Sequence, residues 1–269
     1  MRCSVLMSVY NGSIPQLREA VDSILQQEFG PFELILCDDG SEEPVRSWLE
    51  TLQEDSRVRL LRNRKNRGLA ASLNRCIGEA RSPVLIRQDG DDRSRPGRLR
   101  VLTEFMETHP DYAVVSSNVA LFDDEGIWGK RIFSPVPQKR DFLVSLPFQH
   151  GACAFRKETL LRLGGYQVSK LTRRCEDLEL LLRLYEAGEK GCTLPGFWYE
   201  YREDKSARSR RKYRYRLDEA RVKWQGFRRL GLWPEGMFWA IKPLAVGLLP
   251  TGLAEGLKDR YYGRRDKNL

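Results

Sequence analysis

At 269 residues, 41% hydrophobic and 31% charged, the chain has enough apolar material for one large domain or a domain with an appendage. With only two histidines, a His-based zinc site is not expected. The net charge of +9 sits almost wholly at the C-terminal end: residues 202–269 hold 18 Lys+Arg against 8 Asp+Glu, residues 1–201 hold 28 against 29, and such a basic tail points to an anionic partner, phospholipid or nucleic acid.

The first half alternates strand and helix patterns. Residues 3–9 are a short apolar run, predicted as the first strand, and 15–26 place Leu17, Val21, Ile24 and Leu25 at helical spacing. Further strands are predicted at 32–37, 58–61 and 83–87, with helices over 44–52 and 69–80 between them. This rhythm means a parallel sheet covered by helices on both faces. After Arg98 the pattern changes. A helix to about residue 109 precedes a strand over 112–122, a polar Asp123-Asp124-Glu125-Gly126 turn and the apolar stretch 148–155. A short helix from Lys157, a Gly164-Gly165-Tyr166 turn and a helix over 176–187 follow, the last amphipathic with Leu178, Leu181, Leu182 and Tyr185 on one side.

The tail divides into a basic stretch, 202–229, interleaved with Tyr213, Tyr215, Trp224 and Phe227, and an apolar stretch, 236–257, broken by Lys242, Pro243, Pro250 and Glu255. A spanning helix needs about 20 largely apolar residues without such breaks, so 236–257 is expected to lie in a membrane interface. The six cysteines form no Cys-x-x-Cys pair and read as free thiols in a reducing compartment. The N-terminus enters a strand pattern at once with no signal peptide, so a cytoplasmic location is expected.

In open parallel sheets ligands bind beyond the carboxyl ends of the strands. The unusual chemistry of this chain falls there: Ser8-Val9-Tyr10-Asn11-Gly12 after the first strand, Asp38-Asp39-Gly40-Ser41 after the second, Asp89-Gly90-Asp91-Asp92 after the fourth. Three carboxylates in four residues repel one another, and a fold keeps them together mainly where a cation will sit. Mg²⁺ or Mn²⁺ takes oxygen ligands and bridges naturally to phosphates. An EF-hand loop is excluded because Arg93 stands where the third acidic ligand belongs. No Gly-x-Gly-x-x-Gly or Walker loop follows the first strand. A metal-dependent enzyme acting on a nucleotide or another phosphorylated substrate is expected.

Other segments carry two readings each. Asp38-Asp39-Gly40-Ser41 is either a turn or a contact to base and ribose. Glu176-Asp177 opens a helix, where acids complement the dipole or supply a general base. His150, entering an apolar stretch, is structural or catalytic.

In motif order and content, most of residues 1–187 resembles the family 2 glycosyltransferases, which have the GT-A fold. The segments that carry the resemblance are Ser8 to Gly12, Asp38 to Ser41, Asn66-Arg67-Gly68-Leu69-Ala70 with Asn74, Asp89-Gly90-Asp91 followed by Pro96 and Arg98-Leu99, Gly164-Gly165-Tyr166, and Glu176-Asp177. Glu43 stands where the family often has Asp, and residues 202–269 match only loosely. The resemblance implies inverting transfer of a sugar from a nucleotide-diphosphate donor, UDP being the commonest, as in bacterial surface-polysaccharide assembly. It implies that Asp38 or Asp39 holds base and ribose, walled by Val9, Tyr10 and Asn11. Asp91 ligates the Mg²⁺ or Mn²⁺, helped by Asp89. Arg67 and Arg87 lend charge to the phosphates, Asp177 is the base with Glu176 in support, and His150, Gly165 and Tyr166 lie on the acceptor side. The acceptor implied is a glycan or a polyprenyl-linked sugar, and the basic tail would hold the enzyme on the inner face of the cell membrane.

Two alternatives fit the residues less well. A sugar-phosphate nucleotidyltransferase would show a Gly-rich loop bearing Arg or Lys where Tyr10-Asn11-Gly12-Ser13 stands. A nucleic-acid binder would use the aromatic-interleaved tail but leaves the carboxylate groups unexplained, so no nucleic-acid partner is expected.

Overall fold

The computed structural model describes residues 1–203 and 213–247. The alternation predicted for the first half is present: β1 (Cys3–Val9), α1 (Ile14–Leu25), β2 (Phe32–Asp38), α2 (Val45–Thr51), β3 (Val58–Arg62), α3 (Leu69–Glu79) and β4 (Val84–Arg87). β2 and β4 are buried along their whole length, because helices cover both faces of the sheet; this is why they read as mainly apolar runs without strict alternation. The four strands pair in parallel in the order β3-β2-β1-β4. Val9 pairs with Asp38 and Leu6 with Arg87, so the carboxyl ends of β1, β2 and β4 open onto one edge.

The second half adds β5 (Arg93–Ser94), α4 (Arg98–Thr108), β6 (Tyr112–Asp123), β7 (Gly126–Arg131), α5 (Asp141–Val144), β8 (Ala154–Arg156) and α6 (Lys157–Arg162). It ends with α7 (Glu176–Glu186), β9 (Lys190–Arg202), α8 (Tyr213–Arg229) and α9 (Glu235–Gly247). From β4 the sheet continues through β8, β6, β9 and β5. β8 runs antiparallel to both its neighbours, and β7 pairs antiparallel with β6, so the sheet is mixed beyond β4. β9 has no counterpart among the predicted strands. Its Pro195-Gly196 step breaks the strand pattern, and its parallel pairing with β6 shifts register at Ser117/Asn118 and Asn118/Val119.

Two apolar layers flank the sheet. On one side α1, α2 and α4 bury Leu17, Val21, Leu49, Leu99 and Leu102. On the other, Leu73 and Ile77 of α3 join Leu178, Leu181 and Leu182 of α7 with Val222 and Phe227 of α8 and Ala240 of α9. Helix α7 is enclosed more fully than its predicted one-sided pattern implies, since Leu180 and Leu184 are buried as well. The reason is α8. Its Gly226 lies against Leu182 so closely that a Cβ there would stand 2.5 Å from Leu182 Cδ1. Burying one large apolar side chain stabilises by roughly 1.5–3 kcal/mol, so Val222, Phe227 and Leu230 hold α8 and its C-terminal end firmly on the body. Residues 248–269, the end of the predicted interfacial stretch and the rest of the tail, lie outside the described residues. Five of the six free cysteines are buried, as their apolar settings predict.

Candidate active site

The strand-end loops and the N-terminus of α7 line one cleft of about 840 Å³. Val9, Tyr10 and Asn11 contribute from β1, Asp39 from β2, Arg67 and Gly68 from the start of α3, and Asp89 and Asp91 from the loop after β4. Glu176 of α7, residues of the segment 168–174 and Tyr215 of α8 complete the wall.

The β1 and β2 loops are stapled together. The Asn11 N–H donates to Ser41 Oγ at 2.9 Å, and the Glu42 N–H donates to Asn11 Oδ1 at 2.9 Å. Asp39 receives Asn63 Nδ2 at 2.7 Å and the backbone N–H groups of Arg67 and Gly68 at 2.9 and 2.8 Å. Those donors fix its carboxylate at the head of α3 and leave acceptor capacity on Oδ2 toward a ligand. Gly40 permits this turn: at φ 82° it passes so close to Lys65 that a Cβ would stand 2.8 Å from that backbone.

The acidic loop is braced from beneath. Buried Arg98 donates to the carbonyls of Arg87 and Gly151, each at 2.8 Å, and to Gln88 Oε1 at 3.0 Å; burial lowers its pKa to about 10. Gln88 in turn donates to the Asp92 carbonyl at 2.9 Å. Tyr199 of β9, fully buried, accepts the Asp89 N–H at 3.2 Å and donates to Asp92 Oδ2 at 2.8 Å. Asp92 Oδ1 takes the Arg202 N–H at 2.7 Å, so Asp92 is a structural member of the loop, not part of the cleft wall. Burial and the neighbouring Asp89 push the Asp91 carboxyl up to about 6, and burial with both neighbours holds Asp92 well above the usual range. A cation placed against Asp89 and Asp91 relieves that repulsion. Among the described residues no group of three or more His, Cys, Asp or Glu side chains forms a protein-only metal cluster. Two carboxylates beside open cleft fit a hard divalent ion that keeps water and phosphate oxygens as its other ligands.

The structure thus brings Val9, Tyr10, Asn11, Asp39, Arg67, Asp89, Asp91 and Glu176 together. Six other predicted residues lie off the wall. Asp38 is the last residue of β2 and fully buried; it accepts the Ser41 N–H at 2.8 Å and Arg62 Nε at 3.0 Å, so it shapes the loop while Asp39 meets the cleft. Arg87 is buried beneath the loop, donating to the carbonyls of Leu6 and Gln88 and to the Asp89 carboxylate. It orients Asp89 rather than reaching a phosphate. His150 and Tyr166 form a buried pair, Nε2 to OH at 2.7 Å, and burial together with Arg87 lowers the His150 pKa to about 3. They brace the floor as a neutral pair. Gly165, at φ 70°, lets Asn74 reach both the N–H and the carbonyl of Tyr166, at 2.7 and 2.8 Å. Asp177 is half-buried beside Glu176 and accepts the Leu178 N–H at 2.8 Å. Glu176, on the wall, has its pKa raised to about 7 by burial and by the charge of Asp177.

Sequence reasoning missed Gln88, Gly151 and Tyr199, whose roles exist only once β9 and the turn at His150 pack under the loop. It also missed Lys170, Arg173 and Tyr215 on the wall. The signal for the first two was present: three cations fall within Lys170-Leu171-Thr172-Arg173-Arg174, just before the acidic pair.

Among solved structures, the fold is similar to S. aureus TarS 1-349 in complex with UDP-GlcNAc, with TM-score 0.72 and 15% identity, covering 97% of this chain and 78% of that one. It is also similar to the mannosyltransferase PcManGT from Pyrobaculum calidifontis in complex with GDP-Man and Mn²⁺, with TM-score 0.60 and 22% identity, covering 97% and 81%. The architecture is therefore that of a GT-A glycosyltransferase. Residues 4–164 match the sequence pattern of Glycosyl transferase family 2, and the chain belongs to that family. It is 36% identical over 269 residues to EpsE of Bacillus subtilis (strain 168), described by name as a glycosyltransferase, covering 99% of this chain and 95% of the relative. It is 29% identical over 260 residues, 92% of each chain, to the Escherichia coli UDP-Gal:alpha-D-GlcNAc-diphosphoundecaprenol beta-1,3-galactosyltransferase.

Proposed function

We propose that this enzyme moves a sugar from a nucleoside diphosphate sugar, with UDP the favoured nucleotide, to a hydroxyl of a glycan or lipid-linked acceptor in cell-surface polysaccharide synthesis, with inversion. The observation that carries this reading is the meeting of Asp39, Asp89, Asp91 and Glu176, from three separate segments, in one cleft. Relatives that name a UDP-sugar and a diphosphoundecaprenol acceptor, and a neighbour holding Mn²⁺, support the finer choices.

Asp39 and the β1 wall would hold the nucleoside, and Asp89 and Asp91 a Mg²⁺ or Mn²⁺ ion. When bound, the ion supplies positive charge to the departing diphosphate. Arg67, exposed on the wall, adds a cation on the same side. Asp177, with Glu176 in support, takes the proton from the acceptor hydroxyl. That oxygen bonds to the anomeric carbon as the carbon–diphosphate bond breaks, and the electron pair leaves with the diphosphate. Glu176 itself as base is a second reading, favoured by its place on the wall and its pKa near 7.

Contact with an anionic membrane surface is proposed from α8 and α9. Trp224, Trp233, Met237, Phe238 and Ile241 are exposed there beside Arg221 and Arg228. No helix among the described residues is long and apolar enough to cross a membrane.

A thermal-shift series with UDP-GlcNAc, UDP-Gal and GDP-Man, with and without Mn²⁺, tests the donor reading. Metal-dependent stabilisation by at least one of them is expected; none by any would overturn it.

A further inference from the structure

We infer that the segment 168–174 forms an anion site for a diphosphate ester carried by the acceptor, separate from the donor diphosphate at Asp89 and Asp91. This rests on the transferase reading above and names the chemical class of its second substrate.

Lys170, Arg173 and Arg174 are exposed, line the cleft, and pair with no carboxylate among the described residues. Arg59, Arg62, Arg93, Arg95, Arg183 and Arg202, by contrast, each hold an acidic partner within 4 Å. Three unpaired cations on one short stretch repel each other, and an anion settled among them removes that cost. The donor does not require all of them. The two charges of a divalent ion offset Asp89 and Asp91, so a nucleoside diphosphate ester with two negative charges needs Arg67 and one further cation, and two cations of the segment remain.

Chain order places the three cations on the acceptor side. The segment runs directly into Glu176 and Asp177, and a base must touch the acceptor hydroxyl. Arg174 is held at φ 68°, a left-handed conformation that a non-glycine residue disfavours. The bend from the basic segment into α7 is therefore kept against local preference. Tyr215 of α8 lines the same cleft and lies near Arg173 and Arg174, so the site has a defined end. An acceptor sugar bonded to a diphosphate would seat its charge here and its hydroxyl at the base.

The test uses the full chain saturated with UDP and Mn²⁺, titrated with farnesyl diphosphate and, separately, with farnesol. The diphosphate is expected to bind without displacing UDP, and at least tenfold more tightly than the alcohol. In the Lys170→Ala/Arg173→Ala variant its affinity should fall at least tenfold while UDP affinity stays within twofold. Displacement of UDP, equal binding of farnesol, or parallel loss of UDP affinity in the variant would each overturn the proposal. If UDP with Mn²⁺ fails to bind the unmodified protein, the transferase reading fails instead. The farnesyl diphosphate titration of the nucleotide-free protein then still decides whether these cations hold a diphosphate.

Discussion

The acidic loop after β4 and the basic segment at 168–174 line the same cleft but are built in opposite ways. Around Asp89 and Asp92 every neighbour is committed, with Tyr199, Arg87, Gln88 and Arg98 locking the loop from below. Lys170, Arg173 and Arg174 hold no ion pair among the described residues, only the charge of Arg174 reaching Glu176, and the side chains are exposed. The difference teaches where preorganisation is needed. Charge that must stand at a fixed point, where a bond breaks, is held by a buried network. Charge that greets a second, larger substrate stays solvated and adjustable.

This contrast can be broken by substitution. The largest effect is expected for Asp91→Ala, which should abolish Mn²⁺-dependent UDP binding by calorimetry and lower transfer at least about a thousandfold. Unchanged binding would remove Asp91 from the metal site. Next, Asp177→Asn should cut transfer about a hundredfold or more with UDP affinity within twofold. If Glu176→Gln shows that collapse and Asp177→Asn does not, the base is Glu176, and wild-type activity should then fall as pH drops below about 7.

Glu176 also sharpens the comparison through stability. Its folded pKa is raised to about 7, so its contribution is fully present below the unfolded value near 4.5 and is lost as pH rises through 7. Glu176→Gln should therefore melt higher than wild type at pH 8 and level with it at pH 4. A difference that grows on acidification would contradict this.

Smaller effects separate the two walls. Tyr199→Phe removes the hydroxyl that bridges Asp89 and Asp92 and should cost about 1–3 kcal/mol, seen as a fall of several degrees in Tm. Lys170→Ala should lie within about 0.5 kcal/mol of wild type, as exposed substitutions do. Equal losses at the two positions would erase the distinction drawn here.

Much of the N-terminal half was legible because parallel strands buried on both faces read as mainly apolar runs, and the loops that follow carry the polar residues. Adjacent residues within those loops were harder to separate. Asp38 and Asp39 are chemically alike in sequence and both are buried, but Asp38 still sits in the ladder opposite Val9, while Asp39, one residue on, lines the cleft. Arg87 next to an acidic loop reads as a phosphate ligand until its burial is seen. β9 escaped detection because Pro195-Gly196 splits its pattern, and with it went Tyr199, whose partners lie 107 and 110 residues away in the chain. Long-range support of that kind leaves no local trace.

Gly226 against Leu182, with Tyr215 on the wall of the cleft, joins α8 to the reaction chamber. Chimeras joined near residue 201 would carry part of the reaction chamber along with the foreign helices. Relatives that differ in this hairpin should therefore differ in the shape of the chamber wall as well.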